Sequence, residues 1–454
     1  MGLPNQLAFV HGNDKPSRPK LLGIRSGKPF IIFTVAFAVS TDIFMYGLLV
    51  PLTPTALEHR VGIPEEQIQS WTSILLALYS AAFLFFSPVL GHLADRAESR
   101  RWPLFLGMLA LGVATALLCI GTNIGLWIAG RLCQGAAVAV VWTVGLALLV
   151  DTVGPNELGQ AIGYVSMGLN TGVLAGPLLG GVLYQLGGYY AVFGLAFGFI
   201  GIDLLLRLVL IEKRHAAQWL VSESTPSTPP DRQNLTEKQT GHSLATLLSS
   251  PRLLICLWAH FVLSLLLTSF DSVLPVFVHD LFAWRQAGQG LIFAALVIPH
   301  LLDPLIGLFI DRYPTTTRYL ISGAFLCAVP PAVLLRLITT NSTRDKIRLC
   351  VFLSLLGLCI ALATTPVTLE IFLAVKEKED EVPGRFGRGG AVAFSFGLSN
   401  MAFAAGSLAG PFFAGYIRQN ATWGTMGWAL GVITGVTSVL ALLWSGARIL
   451  KKAS

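Results

Sequence analysis

Apolar residues in this 454-residue chain neither alternate nor keep to one helical face. They come in long unbroken runs separated by short polar stretches. About twelve runs approach the roughly 20 residues that cross a hydrocarbon core as a helix. They fall near 30–50, 71–90, 104–121, 126–150, 161–184, 190–211, 253–279, 288–310, 319–338, 348–373, 391–417 and 424–447. The pattern predicts an all-α integral membrane protein of twelve transmembrane helices. One polar stretch is longer than the others and contains "VSESTPSTPPDRQNLTEKQTGHS", the composition of a flexible tether with Thr-Pro sites open to phosphorylation. It sets the expected organisation: a tail at 1–29, six helices over 30–211, a linker at 212–250, six helices over 251–447 and a tail at 448–454.

Composition agrees with the runs. Only 12% of residues are charged, 54% are hydrophobic, and mean hydropathy is +0.69, where a soluble domain carries about a quarter charged residues. The first thirty residues are polar and basic and the first apolar run is long enough to span, so no cleaved leader is expected. With both termini in the cytosol, Lys and Arg on inner segments outnumber those on outer loops by about threefold. The net charge of +7 therefore reads as a topology signal and a contact with anionic lipid. It is scattered over loops rather than gathered into a nucleic-acid footprint. Asn234 heads a sequon in the cytosolic linker, where glycosylation does not occur; Asn341 and Asn420 head sequons on outer loops. The six cysteines form no CxxC pair and read as small buried hydrophobes rather than metal ligands.

The halves resemble each other. "GHLADR" (Gly91–Arg96) after span two recurs as "GLFIDR" (Gly307–Arg312) after span eight, and "GVLAGPLLGG" (Gly172–Gly181) in span five as "GSLAGPFFAG" (Gly406–Gly415) in span eleven. Two matches in the same register indicate a duplicated six-helix unit, with a site expected between the halves near the midplane.

These residues carry a family resemblance that runs from span one to span twelve. "GHLADRAESRRWPL" resembles the loop motif between helices two and three of the major facilitator superfamily, and "GRLCQG" (Gly130–Gly135) its helix-four motif. "GLNTGVLAGPLLGG" is similar to the helix-five motif of the proton-coupled drug antiporters, while "STDIFMYGLLVPLTP" and "SFDSVLPVFV" look like fungal vesicular-amine-transporter-like exporters. The resemblance implies the major facilitator fold, two pseudo-symmetric six-helix bundles. It also implies exchange of protons for small molecules by a monomer. The chain departs from the loop motif in placing Ala97, Glu98 and Ser99 before Arg100-Arg101, and has Asn400 where the amine carriers have an acid.

Candidate residues follow from where charge meets lipid. Asp42 lies about 18 Å along span one, where an ionisable group is costly and marks a functional site. Arg131 on span four sits at similar depth and is its expected partner; the resemblance gives this arginine a proton-transfer role. Asp271, just before Pro275, reads as a gate residue or, by resemblance, as an acid that binds substrate or proton. Asp303, Glu370 and Asn400 are candidate cavity residues, as are Trp142 and Tyr164, which offer flat surfaces to aromatic or cationic molecules. Asp203 and Arg207, four apart near the inner end of span six, read as a self-satisfied pair with Arg207 reaching to the surface.

Gly91, Asp95, Arg96, Arg101 and Asp151 form an expected cytosolic gate, in which Asp95 caps span eleven near Gly389-Gly390 and Arg96 pairs with Asp151. Gly168, Gly172, Gly176 and Gly180 line one face of span five, with Pro177 bending it and Gly181 alongside. By resemblance, that contact lies between the halves, favours exchange over leak, and is mirrored by Gly406, Gly410, Pro411 and Gly415.

The leading expectation is a proton-coupled exporter of small amphipathic molecules, at the plasma membrane or at a vacuolar or vesicular one. The alternative is an uptake symporter on the same fold. No GxxxxGK[ST] loop, HExxH pair or nucleophile supports an enzyme, and no cofactor or metal is expected. Two duplicated halves suit alternating access better than a channel.

Overall fold

A computed structural model describes residues 21–49, 52–97, 99–154, 156–213, 216, 219, 250–284, 286–381, 386 and 391–445. Most of the expected linker, both outer portions of the tails, Asn234 and the Gly389-Gly390 pair lie outside the described residues.

The apolar runs fold as helices because only a helix satisfies its own backbone in lipid. In chain order these are α1 (Lys28–Leu49), α2 (Glu65–Arg96), α3 (Arg101–Ile120) and α4 (Ile124–Val153). The next helix, Leu158–Val209, is 52 residues long and breaks at Gly188, whose φ of 71° and ψ of −168° suit glycine. It is therefore two crossings, α5 (158–187) and α6 (189–209). The second half comprises α7 (Pro251–Phe282), α8 (Gly288–Arg312), α9 (Pro314–Leu337), α10 (Thr343–Glu381), α11 (Val392–Asn420) and α12 (Trp423–Trp444). Eleven helices among the described residues are long and apolar enough to cross a membrane. With the break at Gly188 they make the twelve expected spans of an integral multi-pass protein. Two starts on one side are capped by side chains, Asn123 accepting from Leu126 N–H and Thr422 from Thr425 N–H. Helix α8 is interrupted by a 3₁₀ turn, Ile298–Leu302, between Pro299 and Pro304.

Packing repeats between halves. In the first, α5 lies on α1 and α2 on α4; in the second, α11 lies on α7 and α8 on α10. The principal contacts across the halves are α2 with α11, α5 with α8, and α4 with α11. A core joining Leu149, Leu158 and Ile162 to Ile306, Phe372 and Phe396 seals this seam. The sealed end is the one where α1 begins and α12 ends, here called the basal end. Of the cysteines, only Cys256 and Cys359 are buried, while Cys133 and Cys327 are exposed. Apolar solvent around the bundle removes the usual reason to hide a thiol.

Candidate functional site: basal gate and central chamber

The basal seam is held by two aspartates that do the same thing in opposite directions. Asp95, at the end of α2, accepts hydrogen bonds from the Ala393 and Phe394 N–H groups, both 2.9 Å, at the start of α11. Asp311, at the end of α8, accepts from Gly159 and Gln160 N–H, both 2.8 Å, at the start of α5. Each carboxylate satisfies orphan donors of a helix start and meets its positive dipole end. The glycine four residues earlier makes the approach possible, since it shares the helix face with the aspartate. A Cβ on Gly91 would stand 2.7 Å from the Ala393 carbonyl oxygen, and one on Gly307 would strike the Gly159 carbonyl. Asp95 thus caps α11 as expected. Asp311 was not singled out in the sequence, although the repeat of "GHLADR" as "GLFIDR" carried the signal.

The basic residues of the gate are rearranged from the expectation. Arg100, not Arg96, pairs with Asp151 at 3.2 Å and with Asp95 at 3.3 Å, and donates to the Ala94 carbonyl. The segment between Arg96 and Arg100 is one residue longer than in the family motif, and the later arginine is the one that meets the acids. Arg101 donates instead to the Arg207 and Leu208 carbonyls, tying α3 to the end of α6.

The glycine seams also lie elsewhere than expected. Gly168, Gly172, Gly176 and Gly180 pack on α1 within the first half. A Cβ on Gly172 would lie 2.6 Å from the Ser40 carbonyl oxygen, and one on Gly180 2.7 Å from that of Leu48. The Pro177 ring fits against Gly47. Gly181 has open space around it and takes no part, and Gly415 is likewise open. Gly406 and Gly410 pack on α7 within the second half. The glycines that cross between halves are basal: Gly159 and Gly163 against α8, and Gly397 against α2.

The expected Asp42–Arg131 ion pair is not formed. Asp42 is fully buried and both carboxyl oxygens lack a hydrogen-bond partner. Arg131, also fully buried, donates to Gln134 Oε1 at 3.0 Å and Thr53 Oγ1 at 3.3 Å. Between them stand Tyr46 and Tyr79, their rings 4.8 Å apart. Tyr79 interacts electrostatically with Asp42 and Arg131, and Tyr46 with Asp271 and Arg131. Asp271 itself is exposed on α7.

Two expected cavity acids are buried in pairs instead. Glu370 binds Arg252 at 2.5 Å, and Arg252 also holds Glu377, stitching α7 to α10. Asp303 is fully buried in the break of α8, where His300 Nδ1 lies 3.1 Å from its Oδ2. Arg207 is buried rather than reaching the surface. It binds Asp203 at 2.8 Å and donates to the Leu104 carbonyl.

Aromatic rings bridge the halves at mid-height. Trp142 on α4 lies 6.4 Å from Phe83 of α2 and 6.4 Å from Phe403 of α11. Phe403 meets His260 of α7 at 5.4 Å, and His260 Nδ1 bonds Ser399 at 2.7 Å. Trp142 Nε1, Gln134 Nε2 and Asn400 Nδ2 are buried donors with no partner. Unmet donors beside flat apolar surface can receive a polar group on an aromatic ligand. Tyr164 is exposed on α5 and, among the described residues, has no ring contact with this cluster. His260, Phe83 and Phe403 escaped the sequence reading because nothing in a uniformly apolar helix marks which way a side chain points.

Comparison with known proteins adds relatives to this geometry. The Major Facilitator Superfamily profile matches residues 32–382. The MFS-type transporter ppzB of Metarhizium rileyi is 33% identical over 93% of this chain and 96% of its own. The class H tetracycline resistance protein of Pasteurella multocida is 24% identical over 64% of this chain and 70% of its own. The crystal structure of the human organic anion transporter MFSD10 superposes with a TM-score of 0.66 at 17% identity, covering 91% of this chain and 99% of that one. This last likeness speaks to the fold alone.

Proposed function

Since the chain belongs to the major facilitator superfamily, whose members are transporters and not enzymes, we propose that it exports small amphipathic organic molecules in exchange for protons. The observation that carries this reading is Asp42, a carboxyl shut inside the first half with both oxygens unpartnered. A buried charge without partners is too costly to hold permanently, so the group is suited to gain and lose a proton as the protein changes state. Asp271 on α7 and Arg131 behind Tyr46 complete the coupling set, and Trp142, Phe403 and Asn400 contact the substrate. The tetracycline resistance relatives favour export of a drug-like molecule. With the basal end in the cytosol, the gate of Asp95 and Asp311 holds the outward-open state; release of both caps opens the chamber inward, a rocking of two rigid halves. The protein acts as a monomer in the plasma membrane.

The test is accumulation of fluorescent cationic, neutral and anionic compounds in pump-deficient yeast, comparing wild type with Asp42→Asn, with and without a protonophore. Export predicts lower accumulation that needs both Asp42 and the proton gradient. Higher accumulation in wild type would instead establish uptake and overturn the direction.

A further inference from the structure

Asp42 has no hydrogen-bonded partner, but geometry turns it toward α6 and not toward Arg131. Ala38, one turn before it on α1, shares a cavity wall with Arg207 of α6, and Arg207 and Asp203 are the charges that bear on Asp42. Asp203 and Arg207 are themselves buried, at 0% and 2% exposure, and joined through Nε and Nη2 at 3.3 and 2.8 Å. A cavity of about 10 Å³ lies between α1, α3, α4 and α6, walled mainly by Val35, Ala38, Leu104 and Leu148, with Arg101 and Arg207 among its polar residues. That is about the space one water needs. Thr34, Ala38 and Asp42 are four apart in turn and share a face of α1, so Asp42 sits one helical turn, about 6 Å, above the cavity.

We propose that Asp42, Asp203 and Arg207 form a single proton-binding triad inside the first half, which exchanges its proton with the basal side through the Arg207 cavity and not through the substrate chamber. The charge count gives the reason. Two carboxyls and one guanidinium, all withdrawn from water, are neutral with one proton bound and not with none or two. In the structure Arg207 is bonded to Asp203, so the triad assigns its one proton to Asp42, whose oxygens accept no hydrogen bond. Loss of that proton to the cavity water lets the guanidinium be shared by both carboxylates. Other titratable groups facing the triad are Tyr79 from α2, which acts on Asp42, and Arg101 from α3 at the cavity wall. Helix α4 adds Gly145 and Leu148 to that wall, and its own Arg131 is held by Gln134 and Thr53. The α5 face against this part of α1 is glycine.

This inference rests on the proton-coupled reading, but its test needs no substrate. Infrared difference spectra of the full chain in lipid nanodiscs at neutral pH count protonated carboxyls. Asp42→Asn removes one relative to wild type. Asp203→Asn removes the same one, because Arg207 then balances Asp42 alone. Asp203→Asn with Arg207→Gln restores it, since no cation remains; thermal melts of each variant in detergent check that it is folded. An unchanged count in Asp203→Asn would overturn the triad and leave Asp42 titrating by itself. Ala38→Leu, which fills the cavity, keeps the count at one and slows hydrogen–deuterium exchange of that carboxyl at least tenfold. An unchanged exchange rate would overturn the route. A chain that exports nothing but gives this series of counts would refute the transport reading and uphold the triad.

Discussion

The two halves of this transporter share their joints and differ in their charges. Each has a glycine seam binding its first helix to its fifth, α1 to α5 and α7 to α11, and each lends an aspartate to cap a helix of the other. Buried charge is handled in contrasting ways. In the second half Glu370 is neutralised by Arg252, and Asp303 is engaged by His300. In the first half Asp42 has no bonded partner, and Arg207 of α6 is already bound to Asp203. Duplication supplied the mechanical frame twice, whereas the unsettled carboxyl belongs to one copy. A settled pair holds helices together; an unsettled one is the group that the proposed exchange would use.

The contrast can be broken most forcefully at those acids. Arg252→Ala strands Glu370 and should cost about 3–5 kcal/mol of stability, most of it recovered by adding Glu370→Gln. Asp42→Asn removes an unpartnered group and should leave the melting temperature in detergent unchanged or higher while abolishing proton-driven transport. Equal destabilisation by the two variants would erase the distinction between halves.

The gate comes next in size. Asp95→Asn and Asp311→Asn each weaken two charge-assisted caps, worth roughly 1.5–3 kcal/mol apiece where a charge is involved. Both should shift the basal end toward opening, read as longer spin-label distances across it. Asp95→Asn should act more strongly because Arg100 also loses one of its two carboxylate partners. The seams should sharpen the comparison further. Gly172→Ala forces a Cβ onto the Ser40 carbonyl and should destabilise by about 2 kcal/mol, whereas Gly181→Ala meets nothing and should be neutral or gain up to about 1 kcal/mol. The smallest expected effect is Arg96→Ala, within about 0.5 kcal/mol, against a clear loss of basal closure for Arg100→Ala.

Much of this frame was legible in the chain. Run length located the helices, and the motif ending in Asp95 located one basal cap; its repeat held the signal for the second, at Asp311, which was not singled out. What sequence could not supply was azimuth. Depth along the membrane brought Asp42 and Arg131 level, but rotation of α1 and α4 about their axes turned Arg131 to Thr53 and Asp42 toward α6. The same missing angle hid the pairing of Glu370 with Arg252 and put the Gly172 seam inside a half instead of between halves. Local spacing mattered too: with one residue more than the motif before the Arg100-Arg101 pair, Arg100 and not Arg96 is the partner of Asp151. The break between α5 and α6 rests on a single glycine conformation at Gly188.

The most direct test of the central claim uses proteoliposomes with an acid interior and the same fluorescent panel outside. Antiport predicts that at least one compound accumulates inside against its gradient, that a protonophore abolishes this, and that Asp42→Asn does not do it at all. Expulsion of compound from acid vesicles, or full activity in Asp42→Asn, would contradict the account.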